Sequence, residues 1–257
     1  MTYRNNEFKY RTGLILAAGL GSRLAAGSAG LKPLTPVKGI PLIFRSIESL
    51  MIAGCSRVCI VLGYQSDKIR QETEGNYHGK VPLHFIINER FDLQNGVSVL
   101  AATDYLSETF IITMVDHILG DSVMKLAGSH SPPVQGATLL VDYKLNRIFD
   151  MDDATRVLTG SNGRLKAIGK GIPDYNCIDT GVFVATHGLI HALQEIFDAR
   201  GDVSLSEGVQ HLANTGNMHT LDIENGFWQD VDTPEMLAYV ESKAAGHAFR
   251  KKRREEG

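Results

Sequence analysis

Short apolar runs and helical periods alternate along the chain from its start. Leu14–Ala17 is an unbroken apolar run ending in small residues, the pattern of a strand buried on both faces. From Pro41 to Ala53, the apolar positions Leu42, Ile43, Ile47, Leu50 and Met51 recur at helical spacing, with proline at the start and Gly54 just past the end. Val58–Leu62 predicts a buried strand, and Ser66 the N-cap of a short helix holding Ile69. Leu83–Ile87 predicts a third strand, Val97–Leu106 a helix, and Phe110–Met114 a fourth strand running directly into Asp116 and His117. Strands alternating with helices predict an α/β fold with a mainly parallel sheet covered on both faces.

The pattern then changes character. Ala137–Val141 is a short strand, and Arg156–Thr159 and Arg164–Ile168 flank Gly160-Ser-Asn-Gly163, a hairpin signal. Asp179–Val184 reads as a strand, and Leu189–Phe197 and Ser206–Leu212 as helices. Thr233-Pro234-Glu235 gives N-cap, proline and first-turn acid in order, starting a helix that turns Met236, Leu237, Val240 and Ala244 inward. The region after the fourth strand reads as one side of a cleft rather than as an independent domain. Residues 1–247 are thus expected to form one unit of two halves, 12–120 and 121–232, with a basic tail at 248–257. No internal repeat is present, and only Ala25–Gly30 is low in complexity.

Bulk properties narrow the classes. A chain of 257 residues is ample for one large α/β core, and a formal net charge of −3 argues against a general nucleic-acid binder. The three cysteines, Cys55, Cys59 and Cys177, have no metal-ligand spacing and read as thiols in a reducing cytoplasm. No run is long enough to span a membrane. The basic run Arg250–Arg254 is read as a solvated complement to a helix dipole, with an approach to anionic lipid or a junction to a further domain as alternatives. No motif fixes an oligomeric state, a dimer included.

The chemistry begins where the first strand empties into Gly19-Leu-Gly21-Ser-Arg23, with Lys32-Pro-Leu beyond a Gly/Ala/Ser stretch. Bare backbone N–H groups after a strand can lie against a polyphosphate, and Gly19 and Gly21 permit the close approach. Arg23 and Lys32 would neutralise phosphate charge. The loop lacks the third glycine of the dinucleotide fingerprint, because Leu24 follows Arg23, and it lacks the Gly-Lys-Ser/Thr ending of a P-loop.

The segment Leu16-Ala17-Ala18-Gly19-x-Gly21-x-Arg23, then Lys32-Pro-Leu, resembles the signature of the sugar-phosphate and alcohol-phosphate nucleotidyltransferases. That resemblance implies a GT-A-like, Rossmann-like three-layer sandwich with a central, mostly parallel mixed sheet. It implies an enzyme that joins an NTP to a phosphorylated substrate and releases pyrophosphate, with Leu16 to Gly21 on the nucleotide and Arg23 and Lys32 as catalytic cations. The turn Asn95-Gly96-Val-Ser98 resembles the family's base-contacting turn, with a capping asparagine a close second reading.

Nucleotidyl transfer needs charge neutralisation more than proton chemistry, because an acceptor phosphate is already anionic at neutral pH. A divalent cation, Mg2+, held by isolated acids at strand ends would supply it. Asp116 ends an apolar strand abruptly, and alternation puts Asp230 and Asp232 on one face of another strand end. Family members with the Trp-x-Asp-x-x-Thr-Pro-Glu ending hold the metal by the acid matching Asp230, together with that of the earlier strand. Asp232 has a competing reading as an organiser of the helix start. Lys170 is placed for the acceptor phosphate, with a solvated loop lysine as the competing reading, while Asp179, Thr180, His117 and Glu207 are acceptor-side candidates, each with a structural alternative.

Val-Asp116-His117-Ile, Ile178-Asp-Thr-Gly-Val-Phe183 and Asp230-Val-Asp-Thr-Pro-Glu235 together resemble the CTP:inositol-1-phosphate cytidylyltransferases. In some of those, a membrane alcohol phosphotransferase follows the domain, which makes a fused or associated partner of that kind an expectation. Cytidylyl transfer to phosphocholine or to 2-hydroxyethyl- or 2-aminoethylphosphonate shares the pattern. Guanylyl, uridylyl or thymidylyl transfer to a sugar-1-phosphate is the broader alternative, and a non-catalytic nucleotide-binding module the alternative from another class.

Overall fold

Strand β1 (Thr12–Ala17) is buried along its whole length. Its alternation sends Leu14 and Leu16 into one core, and Ile15 and Ala17 into another on the opposite face. This double burial explains the unbroken apolar run and makes β1 the middle of a three-layer fold. The structure is a computed structural model and describes residues 11–21 and 31–243. Arg23, Ala25–Gly30, Ala244 and the basic tail lie outside the described residues.

A small ribbon of β2 (Pro36–Val37) and β3 (Ile40–Pro41) leads into α1 (Leu42–Ile52), with Pro41 at the N-cap position and Gly54 at φ +83 just past the end. Strand β4 (Arg57–Leu62), α2 (Ser66–Asn76), β5 (Leu83–Ile87), α3 (Asn95–Ala101) and β6 (Thr109–Met114) continue the alternation. Two local expectations are corrected. Gln65, left-handed at φ +53, takes the N-cap position of α2, so Ser66 is its first helical residue. Helix α3 starts at Asn95 and stops at Ala101, where the Thr103 hydroxyl donates to the Leu100 carbonyl at 2.7 Å and a single 3-10 turn follows.

The remaining elements are β7 (His117–Leu119), α4 (Asp121–Ser129), β8 (Ala137–Asp142), β9 (Arg156–Thr159), β10 (Leu165–Gly169), β11 (Cys177–Thr186), α5 (His187–Arg200), α6 (Leu205–Asn214), β12 (Met218–Asp222), β13 (Trp228–Asp230) and α7 (Pro234–Lys243). Helix α4 and strand β12 add to the elements the apolar pattern predicts.

One nine-stranded sheet runs through both halves of the chain in the order β10-β9-β11-β6-β1-β4-β5, with β8 pairing β11 and β12 pairing β8. Strands β6, β1, β4 and β5 are mutually parallel. The long β11 enters antiparallel to β6, β8 and β9, which makes the sheet mixed. Helices α3, α5 and α6 cover one face, and α1, α2 and α4 the other. A separate two-stranded ribbon, β7 with β13, stands on a third small cluster of Val37, Leu42, Ile118, Val231 and Val240. Ligands of open parallel sheets collect beyond the carboxyl ends of the strands, and here the ribbon walls that space.

Candidate active site

The carboxyl ends of β1 and β6 open into a cleft of about 370 Å³. Gly19 lies on its rim, with open space where a Cβ would stand. Gly21 is left-handed at φ +59, and a Cβ there would come 2.6 Å from the Lys32 Cβ. Glycine at 21 is therefore what lets the loop lie against the Lys32 side chain.

Lys32 gathers the site's charge. Its Nζ lies 2.5 Å from Asp116 Oδ2 and also pairs with Asp232 Oδ1. One ammonium thus joins the loop after β1, the end of β6 and the start of α7. Burial alone would lower the Lys32 pKa, but Asp116 and Asp232 outweigh it and raise it. Burial would raise the Asp116 carboxyl; Lys32 and the bond from His117 outweigh it and hold that carboxyl well below the usual range.

Asp230 faces His117 across the ribbon, and its Oδ1 accepts from Gln229 Nε2 at 2.7 Å. Burial, opposed by His117, and the neighbouring Asp232 and Asp116 raise its pKa. His117 bonds Asp116 Oδ1 through Nδ1 at 2.8 Å and stacks on the Trp228 indole, 6.0 Å between centroids and 13° between planes. Against burial, Asp116 first and then Asp230 and Asp179 raise the His117 pKa. Asp179 points its Oδ1 at the Gly181 N–H, 2.7 Å away. Desolvation pushes the Asp179 carboxyl up to about 6, with the Gly181 N–H and His117 opposing.

Leu16, Ala18, Gly19, Asn95 and Ser98 line the cleft, as do Asp116, His117, Lys170, Asp179, Asp230 and Asp232. Asn95 Oδ1 accepts from the Leu205 N–H at 2.8 Å, tying α3 to the start of α6, and the Ser98 hydroxyl accepts from Asn88 Nδ2 at 3.0 Å. Lys170 pairs with Asp153 in the same cleft.

Other expected residues are turned away. Ala17 faces the opposite core, because alternation along β1 points only its neighbours at the cleft. Gly96 is a packing glycine: a Cβ would come 2.5 Å from the Val203 carbonyl. Thr180 is fully buried and donates to the Leu140 carbonyl at 2.7 Å, which favours its structural reading. Glu207 closes a capping box with Ser204 at the start of α6 and pairs with Arg200 at 2.6 Å, bonds that favour its structural reading. Arg23 lies outside the described residues.

The sequence reading missed the Asp153-Ala154-Thr155 segment, Phe91 and Leu93, all lining the cleft. Phe91 and Leu93 carried a signal as apolar residues in an otherwise polar stretch before a helix. Asp153 carried none, since its partner Lys170 is distant in sequence.

Among the described residues, no three His, Cys, Asp or Glu side chains are gathered as a ready metal cage. A hard divalent cation bound with substrate does not need one. It takes one or two carboxylates and completes its shell with water and phosphate oxygens. Asp116, Asp230 and Asp232 supply such oxygens, and Lys32 now balances two of them. The donor set fits.

The sequence profile of the MobA-like NTP transferase domain matches residues 13–144. The chain is 31% identical over 239 residues to a bifunctional IPC transferase and DIPP synthase of Rubrobacter xylanophilus, covering 91% of this chain and 52% of that protein. A protein of the same description from Aquifex aeolicus is 31% identical over 227 residues, covering 87% of this chain and 49% of that one. The chain thus spans about half the length of these curated relatives. Among solved structures, the inositol-1-phosphate CTP transferase from T. maritima superposes with a TM-score of 0.80 at 28% identity, over 93% of this chain and 98% of that one. A putative glucose-1-phosphate thymidylyltransferase from Bacillus anthracis shares the fold, with a TM-score of 0.79 at 20% identity over 94% and 98% of the two chains.

Proposed function

The chain belongs to the family of MobA-like NTP transferase domains, and from that premise we propose that it transfers a cytidylyl group from CTP to inositol-1-phosphate and releases pyrophosphate. The observation that carries this is the joining of Lys32, Asp116 and Asp232 at the carboxyl ends of β1 and β6, beside the glycine loop. The choice of CTP and inositol-1-phosphate is supported by likeness to the T. maritima transferase along nearly the whole chain.

In the proposed reaction an acceptor phosphate oxygen attacks the α-phosphorus of CTP. The bond to the β-phosphate oxygen breaks, and pyrophosphate leaves with the electron pair. No proton need move, because the acceptor is already an anion. The backbone of Gly19 and Gly21 receives the triphosphate, and Lys32 neutralises charge on the transferring and leaving phosphates. Lys170 exchanges Asp153 for the acceptor phosphate. Asp116 and Asp230, with Asp232 beside them, would hold Mg2+, which when bound supplies Lewis-acid charge neutralisation at the phosphates. We assign the IPC transferase part of the bifunctional relatives to this chain. A fused or associated membrane alcohol phosphotransferase would then use its product.

The test is pyrophosphate release with magnesium across CTP, UTP, GTP, ATP and dTTP. The acceptors are inositol-1-phosphate, phosphocholine, 2-hydroxyethylphosphonate, 2-aminoethylphosphonate and several sugar-1-phosphates. Turnover confined to CTP and inositol-1-phosphate is expected. Activity only with another NTP and a sugar-1-phosphate would overturn the substrate assignment.

A further inference from the structure

The acids of the cleft stand on weak foundations. Asp230 and His117 belong to the β7–β13 ribbon, in which each strand has three residues and pairs only with the other. An isolated two-stranded ribbon is marginal in water, whereas a metal or phosphate site needs its side chains held to a fraction of an ångström. Ile118 seats the ribbon on the small apolar cluster with Val37 and Leu42, but the side chains that face the cleft need a further tie.

It comes from the last residue of β8. Asp142 pairs in register with Ile178 of β11 and so belongs to the nine-stranded sheet, and it is buried. Its Oδ2 accepts from the Trp228 indole Nε1 at 2.9 Å, and its Oδ1 is held by Lys144 Nζ at 2.7 Å and the Lys144 N–H at 2.8 Å. The Trp228 ring then lies flat on the His117 imidazole. Behind His117 stands Gly181, in a register shift of β11 and left-handed at φ +73; a Cβ there would come 2.8 Å from His117 Nε2. The imidazole is thus clamped between the indole and a glycine that alone leaves room for it. Its Nδ1 meets Asp116 Oδ1 at 2.8 Å.

We propose that Asp142 and Trp228 are positioning residues: Asp142 fixes the indole to the main sheet, the indole fixes His117, and His117 fixes the Asp116 carboxylate toward the cleft. None of them touches the reacting atoms on this account. The inference rests on the function proposed above, and its test has a readout that does not. Removing a support of this kind typically costs 10–100-fold in activity or metal affinity.

Trp228 is the single tryptophan of the chain, so its emission reports this clamp alone. In Asp142→Ala, the emission is expected to shift to the red and become more open to iodide quenching. Turnover should fall about tenfold or more, with the KM for CTP within about twofold. Asp142→Asn keeps an acceptor for the indole but turns amide donors toward Lys144, so it should recover part of what Asp142→Ala loses in both readouts. Trp228→Phe keeps a stacking ring and should retain most turnover, while Trp228→Ala should lose it. Wild-type emission in Asp142→Ala, or altered emission with wild-type turnover, would overturn the proposal. Loss of turnover matched only by loss of folded protein across all four variants would do the same. If the wild-type chain turns over no nucleotide, the proposed function fails, and the emission of Asp142→Ala and His117→Ala still decides whether the clamp exists.

Discussion

Asp179 sits in the cleft with its carboxylate closed on the Gly181 N–H and its pKa pushed up to about 6 by desolvation. An acid whose pKa is raised on folding holds its proton better in the native state. Its stabilising contribution is therefore whole below the unfolded value near 4 and is lost as pH rises through 6. For this half-buried group the loss at neutral pH is about 1–3 kcal/mol. Asp179→Asn keeps the acceptor for Gly181 and removes the titration. The variant should melt higher than wild type at pH 7.5, with the gain gone at pH 4. Equal differences at both pH values would sink this account. Single residues also show what a sequence can and cannot disclose. Asp116 was legible because a charge ends an apolar strand, and such a charge needs a reason. Thr180 was not, because the register shift in β11 breaks the alternation on which any reading of its direction depends.

Helix α6 starts with Ser204 and Glu207 bonded reciprocally, the Ser204 hydroxyl accepting from the Glu207 N–H and the Glu207 carboxylate accepting from the Ser204 N–H at 2.8 Å. A capping box of this kind is worth about 1 kcal/mol. Glu207→Ala should lower the Tm by a few degrees and leave the KM for the acceptor unchanged. A raised acceptor KM at unaltered Tm would put Glu207 in the acceptor site. Elements of this sort were legible where local signals suffice: the buried strands β1, β4 and β6 announce themselves as apolar runs, as does the half-exposed edge strand β5, and α1 by its periodicity. The ribbon was not legible as a ribbon. Its strands are too short to show a period, and its pairing of Asp230 with His117 joins parts of the chain far apart in sequence. Helix α4 escaped because only Val123, Met124 and Ala127 are buried in it, too few to mark a face.

At the scale of the molecule, Lys32 holds the beginning and end of the fold together. Its partners Asp116 and Asp232 lie 84 and 200 positions away, so no reading of the sequence could have paired them. The nearly buried ammonium balances two carboxylates in a place where a third, Asp230, already feels both. Lys32→Ala leaves three acids facing one another without that charge. Removing one partner of such a cluster costs up to about 3–5 kcal/mol when fully buried, and less here, where water reaches the edge. The variant should therefore melt well below wild type in the absence of divalent cations. Magnesium should raise its Tm by more than it raises that of wild type. A bound cation stabilises according to its affinity for the native state, and in wild type it must compete with Lys32 for the same oxygens. Turnover should nevertheless fall by about a hundredfold or more, because magnesium can restore the balance among the carboxylates but not the charge aimed at the phosphates. A thermal shift with magnesium no larger in Lys32→Ala than in wild type would mean that the cation is held elsewhere, and that this meeting of three distant segments serves the fold alone.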